Sequence, residues 1–325
     1  MPDRKPNLFI IGSPKCGTSA LAAYLSEHPQ IFICEPKEPF YWSSDYPGLQ
    51  KRHGMESLKT YHRLFEEAGP RHVVLGEGST NYLRSEVAIK KIREFNPDAK
   101  FVVMLRNPVE VVHAFHSEVY FSRIENEPNF EAAWRMQDSR RKGEGLPVQC
   151  EAPQFLQYAD VASYAPQIER FYDLVPAEQR LVIVFDDFKS DNAKTFKEVQ
   201  EFLGVDYLEK THFERVNASH THRSQILAKL VLDPPPSLRP IVETARKIAR
   251  KYKGGWIDRA KYWFRKPMKR TPLSDEFKTE LEDLFREDVR ALSSLLERDL
   301  MHWVGENSTA TSECKNDEAE LVEVS

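Results

Sequence analysis

Apolar residues fall along this chain in short unbroken runs, separated by longer segments of mixed character. Five runs stand out, at residues 7–11, 31–34, 73–75, 101–105 and 181–185. They are too short to be buried helices and too continuous to be strands with one wet face. Runs of this kind mark strands buried on both sides. Between them the period becomes helical. Residues 57–68 place Leu58, Tyr61, Leu64 and Phe65 along one stripe. Helices are also predicted over 19–27, 162–172, 192–203 and 238–252. A further one covers 109–121, which Pro108 is placed to open, and another 274–300, capped by Ser274 and Asp275. Strand and helix in alternation predict βαβ units. The expected fold class is α/β, a central parallel sheet with helices on both faces.

Two stretches, 35–54 and 253–271, carry no period and read as loops. Residues 306–325 are polar and acidic and read as a disordered tail, leaving one domain over 1–305. Hydrophobic residues make up 41% and charged residues 30%, an ordinary globular balance. A formal net charge of −4 gives no global attraction to nucleic acid, so any anion site must be a local cluster. Residues 1–6 are polar, and the apolar run that follows is too short for a secretory core or a membrane span. The four cysteines lack zinc-site spacing and read as reduced thiols. The expectation is a cytoplasmic protein without metal, nucleic-acid partner or membrane span.

The first strand runs straight into Gly12-Ser13-Pro14-Lys15-Cys16-Gly17-Thr18-Ser19 and then a helix. Two glycines four residues apart let the backbone curl so that successive N–H groups face an anion. The helix start adds its positive dipole end, and Thr18 and Ser19 add hydroxyls. A nucleotide triphosphate loop would place lysine directly after the second glycine. Here Thr18 stands there and the lysine, Lys15, lies inside the loop. No strand ends in a clear acidic magnesium partner. These features favour an adenosine phosphate ester over magnesium-ATP. A second strand-turn-helix puts Arg106 at the carboxyl end of the fourth strand, the edge where the first loop opens, as a fork for a second phosphate. An ion pair with Glu110, one helical turn on, is the competing use.

The motif at Gly12–Ser19 resembles the 5′-phosphosulfate loop of the sulfotransferases that use 3′-phosphoadenosine 5′-phosphosulfate (PAPS). The resemblance is greatest to the branch with the heparan sulfate enzymes and their bacterial relatives. It continues through Pro36-Lys37-Glu38-Pro39-Phe40-Tyr41, Gly76-Glu77-Gly78-Ser79-Thr80-Asn81-Tyr82, Leu105-Arg106-Asn107-Pro108 and the last helix. It implies a phosphate-loop three-layer fold and direct in-line sulfuryl transfer from PAPS, without metal, to a hydroxyl or amine. In that family the arginine binds the 3′-phosphate with a serine eight residues later. Here that position is Ala114, with Ser117 the nearest substitute. A late basic loop closes over the same phosphate, matched by Lys266, Lys269 and Arg270. The acceptor expected is a small molecule, lipid or saccharide.

Lys15 is the candidate to stabilise charge on the leaving oxygen. An acceptor hydroxyl needs a base, and Glu38 leads, since the family's glutamate lies in a similar Lys-Glu segment. Glu77 is the second candidate and His116 the third. Lys37, Tyr82 and Tyr164 are the further expected substrate contacts. Gly78 stands where the family often has lysine, and the histidine of its Lys-Glu motif is missing. A phosphoryl-transferring kinase and a bisphosphate-binding protein without turnover remain the rival readings.

Overall fold

The computed structural model describes residues 4–148, 150, 152–214 and 270–306, with the backbone of 220–222 and 265–267. Its centre is a sheet of five parallel strands: β1 (Leu8–Gly12), β2 (Ile31–Ile33), β3 (Val74–Glu77), β4 (Lys100–Leu105) and β5 (Arg180–Val184). Their spatial order is β2-β3-β1-β4-β5. All of β1 is buried and it has a neighbour on each side, which is why its run is uniformly apolar. Its last residue, Gly12, stands opposite Met104 of β4, and the Ser13 N–H donates to the Met104 carbonyl at 3.1 Å.

Helices pack around the sheet. α1 (Thr18–Ser26) links β1 to β2. α2 (Pro47–His53) and α3 (Leu58–Arg63) precede β3, and α4 (Ala88–Phe95) precedes β4. α5 (Pro108–Phe121) follows β4, with Pro108 in its first turn and Asn107 Oδ1 accepting the Val109 N–H at 2.9 Å. α6 (Phe130–Arg135), α7 (Gln137–Arg141), α8 (Tyr158–Ala162) and α9 (Ala165–Leu174) lead to β5. α10 (Phe185–Ser190) and α11 (Asn192–Leu203) follow it, and α12 (Asp275–Leu295) closes the described chain. A two-stranded antiparallel ribbon joins β6 (His220–His222) to β7 (Arg265–Pro267). Among the described residues no helix is long and apolar enough to cross a membrane.

The predicted elements shift in a few places. The stretch 35–54 contains α2. The helix expected over 162–172 breaks at Ser163 and Tyr164, because Asp288 of α12 accepts the N–H groups of Tyr164 (2.7 Å) and Ala165 (3.0 Å) and starts a new helix there. α4 was not predicted, although Ala88, Ile89 and Ile92 form its buried stripe. Glu306, expected to begin the tail, is paired with Arg286 at 2.5 Å. The helix expected over 238–252, most of the basic loop and residues 307–325 lie outside the described residues. Since every strand of the large sheet runs the same way, the segments after β1 to β5 all open at one edge.

Candidate active site

The loop after β1 is shaped by backbone constraints. A Cβ on Gly12 would lie 2.1 Å from the Met104 carbonyl oxygen, and its φ is +133°, so only glycine fits. Lys15 at φ 65° and Gly17 at φ 91° complete the curl. Gly17 caps α1 without any side-chain hydrogen bond, which leaves the first-turn amides to a ligand. Thr18 and the half-buried Ser19 open that helix. The buried Ser13 hydroxyl has no hydrogen-bond partner among the described residues. Burial pushes the Cys16 thiol up to about 12, only partly opposed by Arg106, so it is a packing residue and not a nucleophile. The Lys15 ammonium lies 3.2 Å from Glu118 of α5.

Glu38 meets this loop across a cleft of about 470 Å³, which Gly12 and Pro14 line from the loop side. Phe40, Asn81, Arg84 and Phe155 are among the other walls. Glu38 sits at φ 64° and Phe40 at φ 57°, left-handed conformations that side chains rarely adopt. The Glu38 carboxylate accepts from Lys37 Nζ at 3.0 Å and from Thr80 Oγ1 at 3.4 Å. Lys37 also donates to Thr18 Oγ1 at 3.3 Å, so one ammonium spans the helix start and the carboxylate. The stem of Lys37 runs over Gly78, where a Cβ would lie 2.8 Å from its Cε.

Arg106 braces the loop from beneath. Its Nη1 donates to the Lys15 carbonyl at 3.0 Å, its Nε to Glu110 at 2.8 Å, and its guanidinium stacks on Phe185 at 4.6 Å. The ion pair with Glu110 is therefore formed, beside the phosphate loop. Tyr164 is fully buried and donates its hydroxyl to the Arg106 carbonyl at 2.9 Å. It supports the arginine and does not reach the cleft, contrary to the expected substrate contact. A second cleft, of about 980 Å³, is lined by Ser117 and Arg270 together with His113 and His116. Ser117 Oγ donates to the His113 carbonyl at 3.3 Å, as helix serines do. Ala114, the family's serine position, is buried in α5. The side chains of Lys266 and Lys269 lie outside the described residues.

Three further expectations are corrected by burial. Glu77 is fully enclosed and accepts from Tyr61 Oη (2.7 Å), Ser79 Oγ (2.7 Å) and Tyr82 Oη (3.2 Å). Burial raises its carboxyl to about 7 against the pull of those three donors. It is enclosed and does not line the Glu38 cleft, where an acceptor would be met. Tyr82 is buried on that carboxylate and is not a substrate contact. His116 packs among Tyr120, Phe130 and Tyr158, with Nε2 at 2.9 Å from the Glu127 carbonyl, and is absent from the walls of the Glu38 cleft. Burial also lowers its pKa.

A family model described as a sulfotransferase domain matches residues 5–232. The chain belongs to that family. Human bifunctional heparan sulfate N-deacetylase/N-sulfotransferase 1 is 28% identical over 207 residues, covering 62% of this chain and 22% of the relative. Mouse carbohydrate sulfotransferase 15 is 24% identical over 300 residues, covering 77% of this chain and 51% of that protein. The chain thus spans between about a fifth and a half of the curated relatives it matches. The crystal structure of a sulfotransferase from Alicyclobacillus acidocaldarius superposes with a TM-score of 0.64 at 26% identity. It covers 92% of this chain and 99% of its own.

Within this sulfotransferase domain the sequence reading missed Thr80, which holds Glu38, and Glu118, which holds Lys15. Glu118 had a signal: it lies four residues after Ala114, on the face of α5 that the family uses. Asn81 had one too, inside the Gly76–Tyr82 motif, and Arg84 lies two residues past it.

Proposed function

We propose that the protein transfers a sulfuryl group from PAPS to a hydroxyl or amine on a saccharide or other small molecule. One observation carries this reading: the phosphate loop and the Glu38 carboxylate face the same cleft. The loop fits the donor's 5′ end, since α1 begins uncapped and the Ser13 hydroxyl is unpartnered. Ser13 to Ser19 would hold that end, and Arg106, Ser117 and Arg270, with Lys266 and Lys269, the 3′-phosphate. Bound there, PAPS supplies an activated sulfur with a phosphate leaving group. Glu38 takes the acceptor's proton as the new bond to sulfur forms. Lys15 meets the negative charge left on the phosphate oxygen as the old sulfur–oxygen bond breaks. Thr80 and Lys37 hold the carboxylate in place, and Phe40 and Phe155 offer apolar faces to a ring. The relatives' names support a saccharide acceptor, and the buried free thiols of Cys16 and Cys34 accord with a cytoplasmic setting.

Ligand-dependent melting tests the donor. Adenosine 3′,5′-bisphosphate should raise Tm well above the shift given by magnesium-ATP, because a ligand that fills both phosphate sites binds the native state more tightly. Equal or larger stabilisation by magnesium-ATP would point to the kinase. Tight bisphosphate binding with no labelled sulfate leaving PAPS for any acceptor would point to a binding protein.

A further inference from the structure

The Glu77 carboxylate is the end of two short hydrogen-bond chains that lead to the loop carrying Glu38. Ser79 donates to Glu77 Oε2 at 2.7 Å and accepts the Phe40 N–H at 3.3 Å. Tyr82 donates to Glu77 Oε1 at 3.2 Å and accepts the Trp42 N–H at 3.2 Å. A hydroxyl has one proton and two lone pairs, whereas the Glu77 carboxyl, once ionised above about pH 7, only accepts. Once each hydroxyl gives its proton to Glu77, its lone pairs are what remain for the loop amides. The polarity of both chains is therefore set from the buried end.

The loop needs such a tie. Glu38 and Phe40 both hold positive φ without being glycine, a conformation that persists only where surrounding contacts over-determine it. Phe40 and Trp42 are the alternate residues whose amides are pinned. Thr80, which contacts the Glu38 carboxylate, belongs to the same short turn as Ser79 and Tyr82. Glu77 itself is fixed at the end of β3, beside the phosphate-loop strand, where Phe9 is its register partner. The rigid sheet is thus connected to the reactive carboxylate through one buried group.

We propose that Glu77 is a positioning residue, which orients the Ser79 and Tyr82 hydroxyls so that the Glu38 loop is held in its strained form. The catalytic part of this inference rests on Glu38 being the base. The structural part stands without it.

The test substitutes Glu77→Gln in the full chain at about pH 8, where Glu77 is ionised, and reads two quantities. NMR-detected hydrogen exchange should show the Phe40 and Trp42 amides opening at least about 10-fold faster. Tyr82→Phe should open Trp42 alone, and Ser79→Ala Phe40 alone, which supplies the same test if Glu77→Gln does not fold. With PAPS and an accepted acceptor, kcat should fall about 10-fold in Glu77→Gln, with the affinity for adenosine 3′,5′-bisphosphate unchanged. Added to Glu38→Gln, the same change should cost nothing further. Amides that stay protected overturn the proposal, as does a kcat loss of equal size in both backgrounds. A wild-type protein that leaves PAPS untouched overturns the sulfotransfer reading instead, while the exchange pattern still decides the hydrogen-bond chains.

Discussion

At the scale of single residues, the cleft separates groups by what they face. Glu38 lines the cleft and Lys15 belongs to the loop on its other side, and each is restrained by a partner on another segment, Thr80 and Glu118. Glu38→Gln keeps size and polarity but removes the proton acceptor, so kcat should fall by roughly 10² to 10⁴. The loss should shrink for a nitrophenol acceptor, whose hydroxyl needs less help. Lys15→Ala should lower kcat by about 10²-fold with a smaller change in bisphosphate affinity, the pattern of a charge that acts in the transition state. Steady-state kinetics on both variants decides this, and a near-normal kcat in Glu38→Gln removes it from the role. Glu77 leaves a signature in stability. Its carboxyl is raised from 4.5 to about 7, so the folded protein holds a proton that the unfolded chain releases. The contribution is complete below pH 4.5 and is lost as pH rises to about 7. Wild type should therefore lose stability relative to Glu77→Gln across that window, as measured by urea unfolding at a series of pH values. A difference that stays flat with pH contradicts the shift.

Among the elements, the segment between α5 and α8 is firmly stapled. Arg140 of α7 forks onto Glu125 at 2.5 and 2.7 Å, and Tyr158 of α8 donates to the same carboxylate at 2.6 Å. Both ionic side chains are completely buried. Burial alone would raise the Glu125 carboxyl, but Arg140, the Glu127 amide and Tyr158 outweigh it and hold it below its usual range. Arg140→Met strands that charge and should destabilise the fold by about 3–5 kcal/mol, whereas replacing Glu125 and Arg140 together by apolar residues should cost far less. Chemical denaturation of the single and double variants compares the two. The pair was not legible because its partners are fifteen residues apart in a stretch without a period. What was legible shared one property, a local rule. The Gly12–Ser19 loop follows from glycine spacing, the strands from unbroken apolar runs, and α5 from Pro108. Glu77 and Tyr82 were misplaced for the converse reason. In the turn 79–84, Thr80, Asn81 and Arg84 reach the cleft while Ser79 and Tyr82 turn inward, and an irregular turn offers no period from which to tell them apart. The break before α9 depends on Asp288, more than a hundred residues away.

For the molecule as a whole, the two proposed phosphate contacts and the proposed acceptor walls come from different parts of the chain. The loop after β1 and Arg106 after β4 lie on adjacent strands, while Phe40, Arg84 and Phe155 come from the segments after β2, β3 and α7. Arg106→Ala should weaken adenosine 3′,5′-bisphosphate by about 2–3 kcal/mol and leave adenosine 5′-phosphosulfate nearly unaffected. Calorimetric titration of both nucleotides reads this, and equal weakening would mean that Arg106 acts only through the loop it braces. The pairing of Gly12 with Met104 has a consequence for how such a protein diversifies. Neighbouring strands stand about 4.8 Å apart and advance about 3.3 Å per residue whatever side chains they carry. The span between the loop and Arg106 is therefore a length written in backbone, which point substitutions scarcely alter. The acceptor walls are written in side chains, which they alter freely. Libraries randomised at Phe40, Arg84 and Phe155 should yield new acceptors on an unchanged donor, whereas a new donor calls for an inserted or deleted residue at the ends of β1 or β4.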